Sequence, residues 1–572
     1  MGDASTATSG LLTRNRTAIL LLLVAALYLG AVNNQWAITS DSSLYLGTGR
    51  SLVEGRGMTF NGKDQWGLPP LVPLMIAGCR LLVGSHYWLI NLVVTAFALG
   101  MVGMTWLILR QVVPSLPRCS PAAFTFAVLL AVGTSARLFS ESCRIMTDVP
   151  FGFFVLGGIV CFIRGCQGRA AWLLLGTAAW LGAVMTRLVP GLVLYGAALA
   201  SVPFTCRRPG WAKRLGAAAG GAAILAGGMA AWVVLVRSRA EPGSVDYVGA
   251  ALSGRFLRVD FEQVKRMADA VTHIPAALCG SLVDQKMPYL NLVPTLLLAA
   301  GLWRMVKARQ WVIVLTIGGY VGFLVYYAVE GVAARYFLPV MPLLAYGVLL
   351  GTETLAAPAR HRLSRRARRL RRKQGRGRWD RFLLFNLQAW RRTLWASVYV
   401  AACLAAAISL PKVARGLYWM RHPQFYEVFD HGRWKAYRET AAYLARRGER
   451  GSDRVLAPKG AVVHYLCRLR TESMFRWRGK LVTHFDMLTP EEFTRAARQR
   501  GYAFVVVDAP PPPSGAISRL SDEEAWAREV ARALRASGAF LEPAVFGSLA
   551  VYECAAAPRE GRPRGGLAPG AE

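Results

Sequence analysis

The sequence predicts a polytopic α-helical membrane bundle of about eleven transmembrane helices with a small C-terminal α/β domain. Three observations point there. First, hydrophobic residues make up 54 % of the 572, yet 68 Lys and Arg against 33 Asp and Glu leave a formal net charge of +35. Hydrophobicity and charge can both be this high only when they lie apart, as apolar runs with basic loops between them. That excludes a disordered chain, a collagen-like fibre and a disulfide scaffold. Second, runs of about 20 mostly apolar residues, the length a span requires, lie near 17–36, 87–109, 121–138, 150–166, 171–187, 190–205, 215–236, 289–306, 311–329, 337–355 and 393–410. Third, from Pro411 onward the apolar runs shorten to strand length.

The basic residues orient the bundle. With the N-terminus inside, the cytoplasmic loops carry Arg14 and Arg16, Arg110 and Arg118, Arg164 and Arg169, Arg207 to Arg214, Arg304 to Arg309, and an Arg-rich segment from Arg360 to Arg392. Nearly all loop carboxylates then fall outside: Asp41, Glu54, Asp64, Glu141, Asp148, Asp246 and Asp260. An odd span count places the C-terminal part outside as well. Residues 68–84 read as a helix at the outer interface, because Pro69, Pro70 and Pro73 crowd its start and Arg80 interrupts it. The glycines from Gly216 to Gly228 suit close helix packing in lipid. The run at 360–378 lies between two spans, so it faces inner-leaflet lipid, each basic residue contributing about 1 kcal/mol; no nucleic-acid partner is expected. The segment 237–288, with Arg255, Arg258, Lys265, Arg266, His273 and Lys286 among apolar residues, suits an interfacial helix.

The expected domains are 1–410 for the membrane part, 411–556 for an extracytoplasmic α/β domain and 557–572 for a disordered tail. The membrane part has outside loops at 37–86, 137–149 and 237–288 and a basic cytoplasmic loop at 358–392. In the tail domain, 434–447 is an amphipathic helix and RVLAP at 454–458 a buried strand. Thr489-Pro490-Glu491-Glu492 forms a capping box. YAFVVVD at 502–508 is a strand buried on both faces, PPPP at 510–513 ends it, and FGSLAVYEC at 546–554 is the last strand. Alternating strands and helices suggest a partly parallel sheet. Cys467 and Cys554 are a candidate disulfide if this part faces an oxidising space. No Gly-x-Gly-x-x-Gly supports nucleotide binding there, and the seven His show no metal-binding spacing.

Chemistry concentrates at the outer ends of the spans. Asp41 follows the first span almost directly. A carboxylate at that depth is costly unless solvated, paired or functional; it is either an interfacial cap on a short helix, DSSLYLGTGRSL, or a working acid. Asp148 stands two residues before Pro150 at the mouth of the fourth run, and Arg144 four residues earlier would pair with it on one helix face. Arg335 and Tyr336 sit where apolar sequence resumes; that arginine either snorkels or takes a lipid phosphate bidentately.

These pieces resemble, in order, the multispan glycosyltransferases of GT-C type that use polyprenyl-phosphate-linked sugars. Protein O-mannosyltransferases and the bacterial aminoarabinose transferase that modifies lipid A are among them. The matching residues are Asp41, Tyr45 and Leu46, then Leu52, Gly55, Gly57 and Met58; Pro69 to Pro73; Arg144 to Pro150; and Arg335 to Pro342. The resemblance covers nearly the whole chain. It implies Asp41 as general base or acceptor-orienting carboxylate, Asp148 as a second active-site acid, and Arg335 at the lipid phosphate. It adds Tyr45, Arg144 and Tyr336 to the substrate site, with Arg50, Arg56 and Lys63 as candidate phosphate contacts. The protein O-mannosyltransferases carry an Asp-Glu pair where this chain has Asp41-Ser42, which weakens the case for a protein acceptor. The implied reaction is inverting transfer from a polyprenyl-phosphate sugar donor to a lipid, glycan or protein hydroxyl at the outer face of the plasma (inner) membrane. In some relatives a divalent metal touches the site. A transporter or flippase of lipid-linked glycans and a non-catalytic scaffold are the rival readings. A transporter would show paired repeats and mid-membrane ionisable residues, whereas the candidate acids gather at one interface.

Overall fold

A computed structural model describes residues 3–37, 39–115, 121–205, 211–239, 261–283, 291–327, 334–372, 378–420, 433–449, 453–473, 489–508, 522–546 and 548–555. By its contacts the chain divides into two units, Met1–Ala37 with Tyr45–Phe425, and Ile38–Leu44 with Tyr426–Glu572.

The first unit is helical: α1 (Asp3–Leu29), α2 (Ser40–Val53, whose first turn belongs to the second unit), α3 (Leu71–Val83), α4 (Trp88–Val112), α5 (Pro121–Gly133), α6 (Ala136–Ser142), α7 (Asp148–Gln167), α8 (Ala171–Thr186), α9 (Leu188–Thr205), α10 (Trp211–Arg239), α11 (Phe261–Val283), α12 (Leu292–Lys307), α13 (Trp311–Tyr327), α14 (Met341–Arg372) and α15 (Arg378–Met420). A short hairpin, β1 (Thr59–Phe60) with β2 (Lys63–Asp64), follows α2. Each expected apolar run contains a helix within its described residues, but the first, 17–36, is helical only as far as Leu29. Among the described residues six helices are long and apolar enough to cross a membrane, or seven if α5 and α6 form one bent span, so the protein is multi-pass. Four shorter apolar helices accompany them, at Asn15–Leu29, Leu71–Val83, Ala171–Thr186 and Trp311–Tyr327. The 13 residues of α3 rise about 20 Å, short of the roughly 30 Å hydrocarbon core.

Several expectations change. The run 121–138 is not one helix: it bends by 52° between Gly133 and Ala136, where Ser135 starts α6 by accepting the Leu138 N–H (3.4 Å). Helix α15 passes through Pro411 to Met420, so the boundary expected at 411 falls inside a helix; a proline costs it one backbone hydrogen bond without ending it. The tightest helix crossing is not in the Gly216–Gly228 run, where Gly216, Gly220, Gly227 and Gly228 face open space and Gly221 meets Thr177. It lies between α12 and α14, where a Cβ on Gly301 would come within 1.9 Å of the Gly347 carbonyl and one on Gly351 within 1.8 Å of the Leu297 carbonyl. The α12–α13 turn is tied down by Gln310, whose Nε2 donates to Val112 O (3.3 Å) and whose Oε1 accepts from the Tyr346 hydroxyl (2.8 Å). Within the segment expected to lie on headgroups, α11 carries Lys265, Arg266 and His273 on a helix that exposes Phe261, Val264 and Val271; Arg255, Arg258 and Lys286 lie outside the described residues.

The second unit builds α16 (Arg433–Arg447), β3 (Arg454–Ala457), α17 (Gly460–Cys467), β4 (Arg470–Ser473), α18 (Pro490–Gln499), β5 (Phe504–Asp508), α19 (Asp522–Ala536), β6 (Ala544–Phe546) and β7 (Leu549–Glu553). The five strands order β4-β3-β5-β7-β6. Strand β3 runs parallel to β4 and β5, and β7 antiparallel to β5 and β6. Phe504 to Val507 are buried, and Leu456, Phe493, Val505, Val530 and Tyr552 share one core. Thr489 and Glu492 exchange cap hydrogen bonds of 3.3 and 2.9 Å. Tyr502 donates to Glu472, which also takes Arg454 at 2.7 Å; burial first, then that carboxylate, hold the phenol well above its usual range. No disulfide joins Cys467 and Cys554: Cys467 ends α17, and Cys554 packs at the margin of the core. Residues 510–513 and 557–572 lie outside the described residues.

Candidate active site

Asp41 occupies the first turn of α2 and is exposed. The cap hydrogen bonds come from its neighbours: Thr39 Oγ1 accepts the Ser42 N–H and Ser42 Oγ accepts the Thr39 N–H, both at 3.0 Å. Ser42 is fully buried in that exchange. Ser42 is therefore part of the cap, and Asp41 stays at the surface with the positive end of the helix dipole behind it. Tyr45, four residues on, is buried in the first unit. Arg56 pairs with Glu54, and Lys63 is exposed on the β1–β2 hairpin beyond the Asn61-Gly62 turn. Neither forms an ion pair with the group described next.

That group lies where the ends of α6, α7 and α8 meet. The three-residue connection after α7 makes α7 and α8 an antiparallel hairpin, which brings the start of α7 beside the end of α8. Asp148 is the first residue of α7 and is 0 % exposed. Arg187, in extended conformation just past α8, places Nη2 2.9 Å from Asp148 Oδ1, and its Nε donates to Thr147 Oγ1 at 2.9 Å. The Arg187 contact is close but poorly directed, and neither Asp148 oxygen has a well-formed hydrogen bond. A buried carboxylate in that state retains acceptor capacity for an incoming donor.

The expected Arg144–Asp148 pair does not form. Residues 143–147 are not helical, so four-residue spacing does not bring the two side chains onto one face. Arg144 turns back to Glu141 instead, Nη1 to Oε1 at 3.3 Å, and Arg137 reaches the same oxygen at 3.4 Å. Arg335 is the second residue of the 3-10 segment Ala334–Val340. Its guanidinium lies 5.1 Å from the centre of the Tyr336 ring and donates to that hydroxyl at 3.3 Å. The Tyr320 hydroxyl of α13 fixes the segment by donating to Tyr336 O at 2.7 Å. Glu141 is within electrostatic reach of Arg144, Asp148, Arg137 and Arg335, and Tyr320 of Arg187, Asp148 and Tyr336. Arg144, Asp148 and Arg335 thus share the electrostatic surroundings of Glu141, and Tyr336 lies beside Arg335.

No protein-family model and no curated protein sequence matches the chain. Solved structures do. The structure of ArnT from Cupriavidus metallidurans bound to undecaprenyl phosphate superposes with a TM-score of 0.58 at 15 % identity, covering 94 % of this chain and 97 % of that one. Its apo form gives 0.56 at 16 %, covering 96 % and 98 %. The oligosaccharyltransferase of Archaeoglobus fulgidus, tethered to an acceptor peptide, gives 0.51 at 10 %, covering 86 % of this chain and 69 % of that one. The chain has the GT-C fold.

Within this GT-C bundle, sequence reasoning missed Arg187 and Arg137 as site residues and counted Glu141 only as a loop carboxylate. Arg187 had a readable signal: it is a lone cation between two apolar runs, at the same end of the bundle as Asp148. Among the described residues no three His, Cys, Asp or Glu side chains are grouped to hold a metal ion. The Asp148 carboxylate faces a guanidinium, so the residues present do not fit a metal centre there.

Proposed function

We propose that the protein is a glycosyltransferase that moves a sugar from a polyprenyl-phosphate donor to an acceptor hydroxyl at the outer face of the membrane. One observation carries this reading: the GT-C fold extends over almost the whole chain in common with a structure that holds undecaprenyl phosphate. The arginine-rich cluster at the ends of α6, α7 and α8 supports it, because a buried phosphate needs such partners. It also favours an enzyme over a transporter, whose ionisable groups belong near mid-membrane.

The chemistry follows from the residues. An acceptor hydroxyl is a poor nucleophile until its proton has somewhere to go. Asp41, exposed at a helix N-terminus, takes that proton as the hydroxyl oxygen attacks the anomeric carbon. The bond from that carbon to the phosphate oxygen breaks, and the electron pair leaves with the phosphate. The attack comes from the opposite side, so configuration inverts. Arg335, Arg144 and Tyr336 favour the charge that gathers on the phosphate. Asp148 holds Arg187 and offers its unused acceptor capacity to a sugar hydroxyl. Tyr45, Arg56 and Lys63 are further substrate contacts. The N-terminus is cytoplasmic and the C-terminal unit extracytoplasmic; the acceptor is a lipid, glycan or protein.

The test uses purified protein in nanodiscs with a panel of polyprenyl-phosphate sugars, following release of free polyprenyl phosphate by mass spectrometry. Wild type should release it from one donor and folded Asp41→Asn should not. Full release by Asp41→Asn removes Asp41 as base, and a wild type that neither binds nor cleaves any donor ends the glycosyltransferase reading.

A further inference from the structure

Glu141 has no part in the chemistry above, yet it is 2 % exposed and faces two arginines with a single oxygen. The side chains of those arginines are not equally enclosed: Arg137 is 23 % exposed and Arg144 40 %. One edge of each guanidinium is turned inward to the carboxylate while part of each side chain remains open. A guanidinium has five N–H donors in a rigid plane, so binding one of them fixes the direction of the others. The backbone repeats the constraint. The Arg144 N–H donates to Glu141 O at 3.2 Å and the Met146 N–H to Arg144 O at 2.9 Å, which makes 141–146 a closed turn. Both guanidiniums meet on Glu141 Oε1, and the remaining N–H donors of a guanidinium suit an oxyanion, phosphate above all.

We propose that Glu141 is a positioning residue that aims Arg137 and Arg144 at the phosphate of the membrane-held donor. This rests on the glycosyl-transfer reading. When the anomeric C–O bond breaks, its electron pair passes to the phosphate oxygen, and fixed donors are most effective where charge develops. Coulomb attraction alone gives Glu141 the opposite effect, because a carboxylate beside two arginines repels an anion. The sign of the change on removing it therefore separates aiming from charge.

The experiment titrates full-length protein in nanodiscs with a long-chain polyprenyl phosphate, and with the matching polyprenol as control, by intrinsic tryptophan fluorescence. Glu141→Gln should weaken polyprenyl-phosphate binding about tenfold, as loss of orientation does. Polyprenol binding by the folded variant should not move, whatever thermal stability goes with the two arginine contacts, and Glu141→Asp should recover part of the phosphate-binding loss. Equal or tighter phosphate binding by folded Glu141→Gln overturns the proposal. If that variant does not fold, wild type carries the test: polyprenyl phosphate, but not polyprenol, should slow phenylglyoxal modification of Arg144, read by peptide mass spectrometry. Absence of protection there also overturns it. A wild type that binds no polyprenyl phosphate overturns the glycosyl-transfer reading together with this one, whereas binding indifferent to Glu141 overturns this one alone.

Discussion

Removing either partner of the Asp148–Arg187 pair should have unequal consequences, because the two are not equally buried. Asp148 is 0 % exposed and its close cation is Arg187 at 2.9 Å; the Arg187 side chain is 23 % exposed. In Arg187→Ala the carboxylate stays behind in a dry site without that cation and with no well-formed hydrogen bond. Breaking a buried pair this way costs about 3–5 kcal/mol. In Asp148→Asn the charge left behind belongs to Arg187, which can turn towards water and keeps Thr147 as a hydrogen-bond partner. That change should cost about 1–2 kcal/mol, the ordinary range for a substitution that leaves no unpaired charge in a buried site. The double variant Asp148→Asn with Arg187→Ala leaves no uncompensated charge and should be more stable than Arg187→Ala alone. The assay is denaturant unfolding in mixed micelles followed by tryptophan fluorescence, with size-exclusion profiles to check folding. Equal losses for the two single variants, or strictly additive losses in the double, would refute the argument that Arg187 serves to neutralise a buried charge.

Two further outcomes test the packing and the capping. Gly351→Ala should abolish folded protein or cost several kcal/mol, because its Cβ would meet the Leu297 carbonyl at 1.8 Å, whereas Gly228→Ala, with open space around it, should be neutral or stabilising by about 0.5–1 kcal/mol; size-exclusion yield and thermal midpoint distinguish them. Thr489→Ala should cost the C-terminal unit about 1 kcal/mol while Glu492→Gln, which can still accept the Thr489 N–H, should cost little, as read from amide exchange of 490–499.

What could be read from the sequence divides along a physical line. Positions decided by local composition were legible: the apolar runs, the Thr489 box, and β5, whose Phe504 to Val507 are found buried. Positions decided by which helix meets which were not. The glycines at 216–228 carry the composition of a close crossing, but the crossing forms at Gly301, Gly347 and Gly351, where the partner backbone happens to lie. Arg144 and Asp148 have helical spacing, but the turn between α6 and α7 separates them, and their partners come from an earlier residue of α6 and from the far end of α8. A pairing between residues 39 positions apart, as for Asp148 and Arg187, has no local signature.

The placement of the ionised groups argues that the cluster is held for a purpose other than stability. A charge in the middle of a membrane helix costs about 2.5–3.5 kcal/mol, so the groups stand at helix ends. There the macrodipole prefers carboxylates at N-termini and cations at C-termini. Asp41 and Asp148 stand in the first turns of α2 and α7, and Arg187 just past the end of α8, each in agreement with that preference. Glu141 stands in the last turn of α6, against it, and is nearly as buried as Asp148. Stability alone would favour an apolar or basic residue there, which would also release Arg137 and Arg144 to solvent. The chain instead keeps the carboxylate and brings both arginines to it. That arrangement gives up dipole energy and solvation to hold two guanidiniums on one carboxylate, which is the placement the proposed aiming role requires.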